Sequence, residues 1–214
     1  MSLLADRRSA SPIHAPALPG FEHLRRYWDP TQACMTVKVL PGEFYVSTQH
    51  ELVTTVLGSC VAACIRNPRL GIGGMNHFML PDGGGDADSP VSASMRYGTY
   101  AMEVLINQLF ALGARRERLE AKVFGAARVL PGMSDIGERN AAFAIEYLKR
   151  ESIRLLAEDL GHNEPCKIYY FAQSGRVLLK RLRSLRNDTI VQRERDYAEK
   201  LGTLARGSAA DLFK

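Results

Sequence analysis

The hydrophobic positions divide the chain into a strand-rich body that contains two helical segments. Short apolar runs rich in β-branched residues lie between residues 35–80 and again between residues 119–182. Their lengths and their flanking turn residues predict about seven β-strands. Asn67-Pro68-Arg69 separates two of the apolar runs, so we expect those two to form a hairpin of buried strands.

Two segments have helical periodicity instead. Residues 94–113 place apolar side chains on one helical face, and Gly113 marks the end of that helix. Residues 135–148 form the second predicted helix, with Asp135 and Glu138 as a capping pair. Its inward-facing residues are predicted to be Ile136, Asn140, Phe143, Ala144, Tyr147 and Leu148. Strands and helices follow one another in mixed order. This order favours an α+β fold, a single domain with a mixed or antiparallel β core and helices packed outside it.

The two ends of the chain differ from this body. Residues 1–34 are predicted to form an N-terminal tail or arm, because most of them belong to a stretch rich in Pro, Ser, Ala and Arg. The aromatic residues near its end either pack onto the domain or dock a partner. Residues 35–182 form the predicted domain. Residues 183–214 form a polar C-terminal extension that could be an exposed helix and promises little core.

The net charge of +5 does not indicate nucleic-acid binding, because most of the surplus lies at the two ends. Residues 1–28 carry four Arg against two acidic residues, and residues 183–214 carry seven Lys/Arg against five acidic residues. A nucleic-acid groove needs a basic stripe interleaved with aromatic residues on the folded body, and the sequence has none. We therefore expect no nucleic-acid partner.

The sequence also predicts a cytoplasmic protein with no membrane insertion. No stretch approaches the ~18 consecutive apolar residues of a membrane-spanning helix, and the first twenty residues do not resemble a signal peptide. The four cysteines are then expected to be reduced. They form no CxxC pair, and no His-x₃₋₅-His is present, so we expect no zinc site. The Asp residues of the segment 81–90 do not have EF-hand spacing, and we predict a mobile loop there.

The hairpin carries the strongest chemical signal in the chain. If its loop runs from Asn67 to Leu70, Cys60 lies directly opposite His77. Directly opposed side chains share one face, with Cβ atoms ~4.5–5.5 Å apart, so the thiol and the imidazole can form a hydrogen bond. A slip of one residue would send the two side chains to opposite faces.

This pair suits a nucleophile and its base. An imidazole can take the proton of a thiol, form an ion pair with the thiolate and later protonate a leaving group. Gly58 and Ser59 let a substrate approach closely and leave backbone N–H groups for an oxyanion. Thr54 or Thr55 could hydrogen-bond the other ring nitrogen of His77 and fix its tautomer. The alternative is that the cysteine and the histidine are both core residues, which is the commoner role in apolar strands.

These residues resemble the signature of the CheD family, the chemoreceptor glutamine deamidases, over essentially the whole predicted domain. The order and spacing of the matching segments are what make the resemblance specific. The segments are RYWDP at 26–30, LPGEFYV at 40–46, TVLGSC at 55–60, GGMNHFMLP at 73–81, KVFGAA at 122–127, IGERN at 136–140, LLAED at 155–159 and the Ser174-Gly175 hairpin.

The resemblance implies an activity and a set of catalytic residues. The activity is hydrolysis of selected glutamine side chains on chemoreceptor cytoplasmic helices to glutamate, with release of ammonia. Some members also hydrolyse glutamyl methyl esters. The residues are Cys60 as nucleophile, His77 as its base and Thr54, rather than Thr55, as the third member. The resemblance also implies a partner of some members, a CheC-type phosphatase.

The sequence therefore predicts a protein-glutamine deamidase that works through a cysteine thioester and needs no metal or organic cofactor. One alternative is a regulatory binding module of a chemotaxis phosphatase, with little turnover. A weaker alternative is a thiol protease, which would cut the backbone of its substrate. One departure from the family pattern is Gly125-Ala126-Ala127, where the family has Gly-Gly-Ala.

Overall fold

A computed structural model describes four stretches of the chain. Residues 1–15 of the predicted arm and residues 82–89 of the predicted loop at 81–90 lie outside them. These stretches form two five-stranded sheets and three helices, which confirms the α+β class. The described residues are 16–81, 90–129, 134–182 and 188–206.

The strands within the described residues number ten, against about seven predicted. They are β1 (Arg25–Asp29), β2 (Cys34–Lys38), β3 (Phe44–Ser47), β4 (Glu51–Leu57), β5 (Val61–Asn67), β6 (Ile72–Asn76), β7 (Glu120–Gly125), β8 (Arg154–Leu160), β9 (Cys166–Phe171) and β10 (Arg176–Arg181). The helices are α1 (Pro90–Ala111), α2 (Ser134–Arg150) and α3 (Asp188–Arg206), and Arg116–Arg118 form a short 3₁₀ turn.

The strands are divided between two sheets. Sheet A has the order β1-β2-β4-β9-β10, and sheet B has the order β3-β6-β5-β7-β8. The pairs β2–β4 and β7–β8 are parallel, and all other neighbours are antiparallel. The consecutive strands β4 and β5 therefore lie in different sheets. Residues 58–60, which include the predicted nucleophile, make the crossing between them.

Sheet B lies in the middle of the molecule. Helices α1 and α2 contact its strands, while Tyr170 of sheet A donates its hydroxyl to the Ile65 carbonyl of β5 at 3.4 Å. Every residue of β6 is buried, and so is every residue of β5 except the half-buried Arg66. A strand that is covered on both faces needs apolar residues along its whole length rather than an alternating pattern. This explains the continuous apolar runs on which the hairpin was predicted.

The helices cover sheet B largely as their periodicity predicts. The predicted inner face of α2 is confirmed, from Ile136 through to Leu148. On α1, Tyr97, Leu105 and Leu109 of the predicted face are buried, and the rest of that face is half-buried. Met102 and Ile106 are buried in addition, because the helix contacts sheet B, α2 and α3. None of the helices in the described stretches is both long enough and apolar enough to cross a membrane.

The N-terminal side of the domain contributes more structure than its composition suggests. Within the predicted arm, β1 pairs with β2, and Phe21 and Leu24 are buried in the core. The buried carboxylate of Glu51 in β4 forms an ion pair with Arg26 of β1. It also accepts a hydrogen bond from the Tyr45 hydroxyl of β3 at 2.6 Å. One carboxylate thus connects β1 to both sheets, which a reading of composition does not reveal.

The C-terminal extension is also part of the structure. Helix α3 forms where a helix was considered, but it is not simply exposed. Glu194 and Leu201 are buried, and α3 contacts α1. The contacts of Glu194 belong to the candidate site and are described below.

The end of β7 packs against the crossing between the sheets and constrains two neighbouring residues. Gly125 has φ +113°, and a Cβ atom there would lie 2.2 Å from the Cys60 carbonyl oxygen. Ala126 has φ +57°, a left-handed conformation that costs an L-residue roughly 1–2 kcal/mol. This is the position at which the family pattern has glycine.

We expect opposite effects from exchanging glycine and alanine at these two positions. Gly125→Ala should lower the free energy of unfolding by roughly 2 kcal/mol or more, because the added methyl collides with backbone. Ala126→Gly should leave it unchanged or raise it by up to ~1 kcal/mol, since relief of the left-handed strain offsets the entropy of glycine. Urea denaturation followed by circular dichroism measures both. Equal destabilisation by the two changes would contradict this account.

Candidate active site

The hairpin between β5 and β6 has the predicted loop length but begins one residue later than predicted. Asn67 pairs with Ile72, so the loop is Pro68–Gly71. Gly71 adopts φ +65° and donates its N–H to the Asn67 carbonyl at 3.1 Å. The Asn67 side chain accepts hydrogen bonds from two loop N–H groups at 3.1 and 3.2 Å. Asn67 therefore closes the loop and is not its first residue.

This shift moves every cross-strand partner by two residues. Val61 pairs with Phe78 through two hydrogen bonds of 2.9 Å, which puts Cys60 opposite Met79. The prediction that Cys60 lies directly opposite His77 is therefore wrong. Residues 60 and 77 lie just outside β5 and β6. If the alternation of side chains continues there, we expect the thiol and the imidazole to share a face as diagonal neighbours. Such neighbours have Cα atoms roughly 7–8 Å apart, a gap that an aromatic side chain can span.

His77 is held through its backbone and through one ring nitrogen. Its N–H donates to the Glu43 carbonyl at 3.0 Å, and its carbonyl accepts from the Gly42 N–H at 2.8 Å. Thr55 Oγ1 lies 2.8 Å from Nδ1 and donates its one proton to the Val39 carbonyl at 2.7 Å. The hydroxyl can then only accept from Nδ1. This network assigns the imidazole proton to Nδ1.

The other ring nitrogen is available as a base. Nε2 of His77 is buried and has no hydrogen-bond partner among the described residues. Burial lowers the pKa of His77 to about 3, and the positive charge of Arg193 acts in the same direction. A neutral imidazole with a bare Nε2 is the form that can take a proton from a thiol.

Thr54 does not contact His77. Its hydroxyl donates to the Ile168 carbonyl of β9 at 2.8 Å. Adjacent residues of a strand point to opposite faces, so only one of two neighbouring threonines can reach the imidazole. The structure places Thr55, and not Thr54, on His77. This differs from the choice that the resemblance implies.

The crossing between the sheets presents a row of hydrogen-bond donors. The backbone N–H groups of Gly58, Ser59 and Cys60 all donate to the carboxylate of Glu194 in α3, at 2.9, 2.8 and 3.3 Å. The Ser59 hydroxyl adds a fourth hydrogen bond at 2.7 Å. A Cβ atom on Gly58 would lie 2.6 Å from a carboxylate oxygen of Glu194, so a side chain has no room there. Such convergent donors can stabilise an oxyanion.

Cys60 lies at the end of this row and is fully buried. Burial raises the pKa of its thiol well above the ordinary range. The charge of Glu194 and a hydrogen bond to its carboxylate raise that pKa further. The thiol is therefore protonated in this state.

Two other segments fix the orientation of the crossing. The buried side chain of Asn140 in α2 donates to the Ser59 carbonyl at 2.9 Å and accepts from the Leu80 N–H at 2.8 Å. The N–H groups of residues 126 and 127 donate to the carbonyls at the two ends of the crossing, at 2.8 and 2.6 Å. With its carbonyls paired in this way, the crossing turns its N–H groups towards α3.

A cleft of ≈ 440 Å³ reaches His77 from outside. It lies between the turn at 41–44, α1 and α3. Tyrosine side chains from both helices line it, together with Lys200 and Leu201 of α3. In the part of the chain that the structure describes, no three His, Cys, Asp or Glu side chains lie close enough to hold a metal ion.

Two residues of this site were not predicted from the sequence. Asn140 was predicted only to face inwards, and Glu194 was placed in an extension with little core. A signal for Glu194 does exist in the sequence. It falls on the same helical stripe as Val191, Ala198 and Leu201, where an apolar residue is expected. An acidic side chain in such a stripe points into the protein and needs donors to meet it.

His77 should stay neutral at pH values well below those at which a histidine side chain usually becomes protonated. Its native pKa of about 3 lies below the ordinary value of 6.5, so the unfolded chain binds the proton first as the pH falls. The contribution of His77 to the free energy of unfolding is therefore complete above pH 6.5 and is lost as the pH falls towards 3. Imidazole ¹⁵N correlation spectra should show the Nδ1–H tautomer down to about pH 4. A His77 signal that titrates near 6.5 would contradict a buried base.

The family model and the curated relatives agree on one family. The family model described as "CheD chemotactic sensory transduction" matches residues 79–181. A solved Neisseria meningitidis protein of family DUF152 overlaps 56% of this chain and 54% of its own, at 13% identity and a TM-score of 0.35. An overlap that slight defines neither fold nor function.

The curated relatives are far more similar. A Thiobacillus denitrificans protein is 58% identical over 87% of this chain and 94% of its own length. A Halorhodospira halophila protein is 50% identical over 92% of this chain and 93% of its own. Both carry the name "Probable chemoreceptor glutamine deamidase CheD". Since relatives at such identity align over almost their whole length, this chain belongs to the CheD family.

Proposed function

We propose that this chain is a protein-glutamine deamidase, a hydrolase that converts glutamine side chains of chemoreceptors to glutamate. The observation that carries the proposal is the combination of a row of donors at Gly58, Ser59 and Cys60 with a neutral imidazole at His77 whose Nε2 has no partner among the described residues. The names of the curated relatives supply the substrate class.

The first half of the reaction forms a thioester. The thiol proton of Cys60 passes to Nε2 of His77, and the sulfur forms a bond to the side-chain amide carbon of the substrate. The carbonyl oxygen becomes an oxyanion and accepts hydrogen bonds from the N–H groups of the crossing. The imidazolium then gives its proton to the amide nitrogen, the carbon–nitrogen bond breaks, and ammonia leaves.

The second half releases the product. His77 takes a proton from water as the water oxygen attacks the thioester carbon. The carbon–sulfur bond then breaks, and the proton returns to the thiolate of Cys60. One water is consumed and one ammonia is released for each glutamine converted to glutamate. Every step uses only groups of this chain, the substrate and water.

Thr55 acts in this scheme as a positioning residue. Its hydroxyl accepts from Nδ1–H and donates to the Val39 carbonyl, so the imidazole keeps its proton on Nδ1 and leaves Nε2 free. The substrate helices that the resemblance implies belong to receptor cytoplasmic regions, so we place the reaction in the cytoplasm. A CheC-type phosphatase is the regulatory partner proposed on the same basis.

Replacing the nucleophile should abolish the activity. The full-length chain is incubated with a receptor cytoplasmic fragment, and the fragment is then mapped by peptide mass. Wild type should convert particular glutamines to glutamate with release of ammonia, and Cys60→Ala should convert none. Cys64→Ala is the matched control, because Cys64, in β5, carries a buried thiol like that of Cys60 and should be dispensable for the chemistry.

Two outcomes of that experiment would contradict the proposal. If Cys60→Ala converted as much glutamine as wild type, a thioester mechanism through Cys60 would be excluded. Binding of the fragment by wild type without any ammonia release would instead favour the regulatory binding module.

Replacing Thr55 should lower kcat, whereas replacing Thr54 should not. Thr55→Val removes the acceptor of the Nδ1 proton, and kcat should fall roughly 10- to 100-fold, a part of what general-base catalysis contributes, with KM little changed. Thr54→Val removes one hydrogen bond between β4 and β9, which should lower the free energy of unfolding by ~1 kcal/mol and leave kcat nearly unchanged. A fall in kcat with Thr54→Val alone would support the role that the resemblance gives to Thr54.

A further inference from the structure

The donor row that should hold the substrate is occupied by the chain itself. Glu194 is only 3% exposed, although it belongs to a polar helix. Its Oε1 accepts from the N–H groups of Gly58 and Cys60, and its Oε2 accepts from the N–H and hydroxyl of Ser59. Both carboxylate oxygens are thus held by the groups assigned to the reacting oxygen.

This occupant has the chemistry of the proposed product. Deamidation of glutamine leaves a glutamate side chain, and α3 presents a glutamate from a helix. We propose that α3 lies in the substrate-binding groove as a built-in product mimic, and that a glutamine-bearing substrate helix must displace it. This inference rests on the proposed function for the identity of the substrate, but the occlusion of Cys60 can be tested without it.

The groove is shaped to receive a helix. Tyr197, one turn beyond Glu194, forms a hydrogen bond with Tyr97 of α1. A Cβ atom on Gly42 would lie 2.8 Å from the Tyr197 hydroxyl, so glycine makes room for α3 at this point as well as at position 58. Further along α3, Leu201 is buried. The groove that α3 occupies therefore extends about two helical turns beyond Glu194, as far as Leu201.

While Glu194 is in place, the site cannot react. The donors for the oxyanion are taken, and the thiol hydrogen-bonds to the carboxylate. The negative charge also opposes formation of the thiolate, and so raises the pKa of Cys60 beyond the effect of burial. A carboxamide is neutral, so its arrival in place of Glu194 would remove that charge.

Displacement of α3 is physically reasonable because little of the helix is buried. Most of its residues are exposed or half-buried, whereas β5 and β6 beneath the site are buried almost throughout. A helix with few buried apolar contacts belongs to the low-stability part of a fold and can open without global unfolding. The body of the domain would keep its structure when α3 leaves.

Alkylation of Cys60 tests the occlusion independently of any substrate. The full-length chain is treated with iodoacetamide under native conditions, and the modified cysteine is identified by peptide mass. Glu194→Ala should be alkylated at Cys60 at least about tenfold faster than wild type, because the closed state no longer dominates. Glu199→Ala, which changes an exposed carboxylate of the same helix, should react at the wild-type rate. Equal rates in all three chains would overturn the proposal.

Thermal melting by circular dichroism accompanies this test, so that an unfolded Glu194→Ala is not mistaken for an opened one. The same variant should show a KM for the receptor fragment lowered by about tenfold, since a competing occupant has been removed. Glu199→Ala should keep the wild-type KM. An unchanged KM in a chain with faster alkylation would overturn the claim that α3 and the substrate share one groove.

Glu194→Gln tests the resemblance to substrate directly. The variant keeps the length of the side chain and puts a carboxamide at Cys60. Incubation of the purified chain should convert Gln at position 194 back to Glu with release of ammonia, as seen by peptide mapping. The double variant Cys60→Ala, Glu194→Gln should keep its glutamine.

The readouts separate the two proposals. If the Glu194→Gln variant deamidates a receptor fragment but keeps its own glutamine at position 194, the proposal that α3 mimics the product is overturned. Suppose instead that Cys60 is alkylated faster in Glu194→Ala, while neither the receptor fragment nor the glutamine introduced at position 194 is deamidated. That result would support occlusion by α3 and overturn the proposed deamidase function.

Discussion

The crossing of the chain from sheet A to sheet B is the constraint on which the site depends. Residues that leave one ladder and enter another have backbone N–H groups without a strand partner, and buried N–H groups need an acceptor. Here the carbonyls of the crossing are paired with Asn140 and with the end of β7. The N–H groups without a strand partner therefore all point towards α3. Any group that accepts hydrogen bonds from them lies next to the backbone of Cys60.

The base is fixed by a different device. His77 follows β6, and its backbone is bound by the turn at residues 42–43. The Thr55 hydroxyl links the ring to the Val39 carbonyl just after β2. Because the His77 ring is held by residues of two sheets and a turn, it cannot easily rotate. Nε2 therefore stays without a hydrogen bond, and leaving this buried nitrogen unpaired costs free energy. The nucleophile and the base thus belong to separate supports that meet at the junction of the sheets.

Sequence pattern predicted the parts of this fold that repeat locally. The apolar runs of β5 and β6 and the inner face of α2 follow from periodicity. The partner of Cys60 was predicted two residues out of register, because it depends on the residue at which the hairpin loop begins. Which strands share a sheet is set by long-range pairing, so the split between β4 and β5 was not predictable. The choice between Thr54 and Thr55 depends on that pairing. Composition also hid Glu194, because one buried carboxylate barely alters a polar helix.

The position of Glu194 within the same polypeptide has a consequence for concentration. A tethered side chain acts at an effective concentration that short linkers can raise to about the millimolar range, and dilution of the protein does not lower it. Even a weakly docked α3 would therefore keep the site closed however dilute the protein is. Under the proposed function, a substrate helix would gain access where it is itself crowded, as in a dense patch of receptors. Local density, rather than intrinsic affinity, would then decide where deamidation occurs.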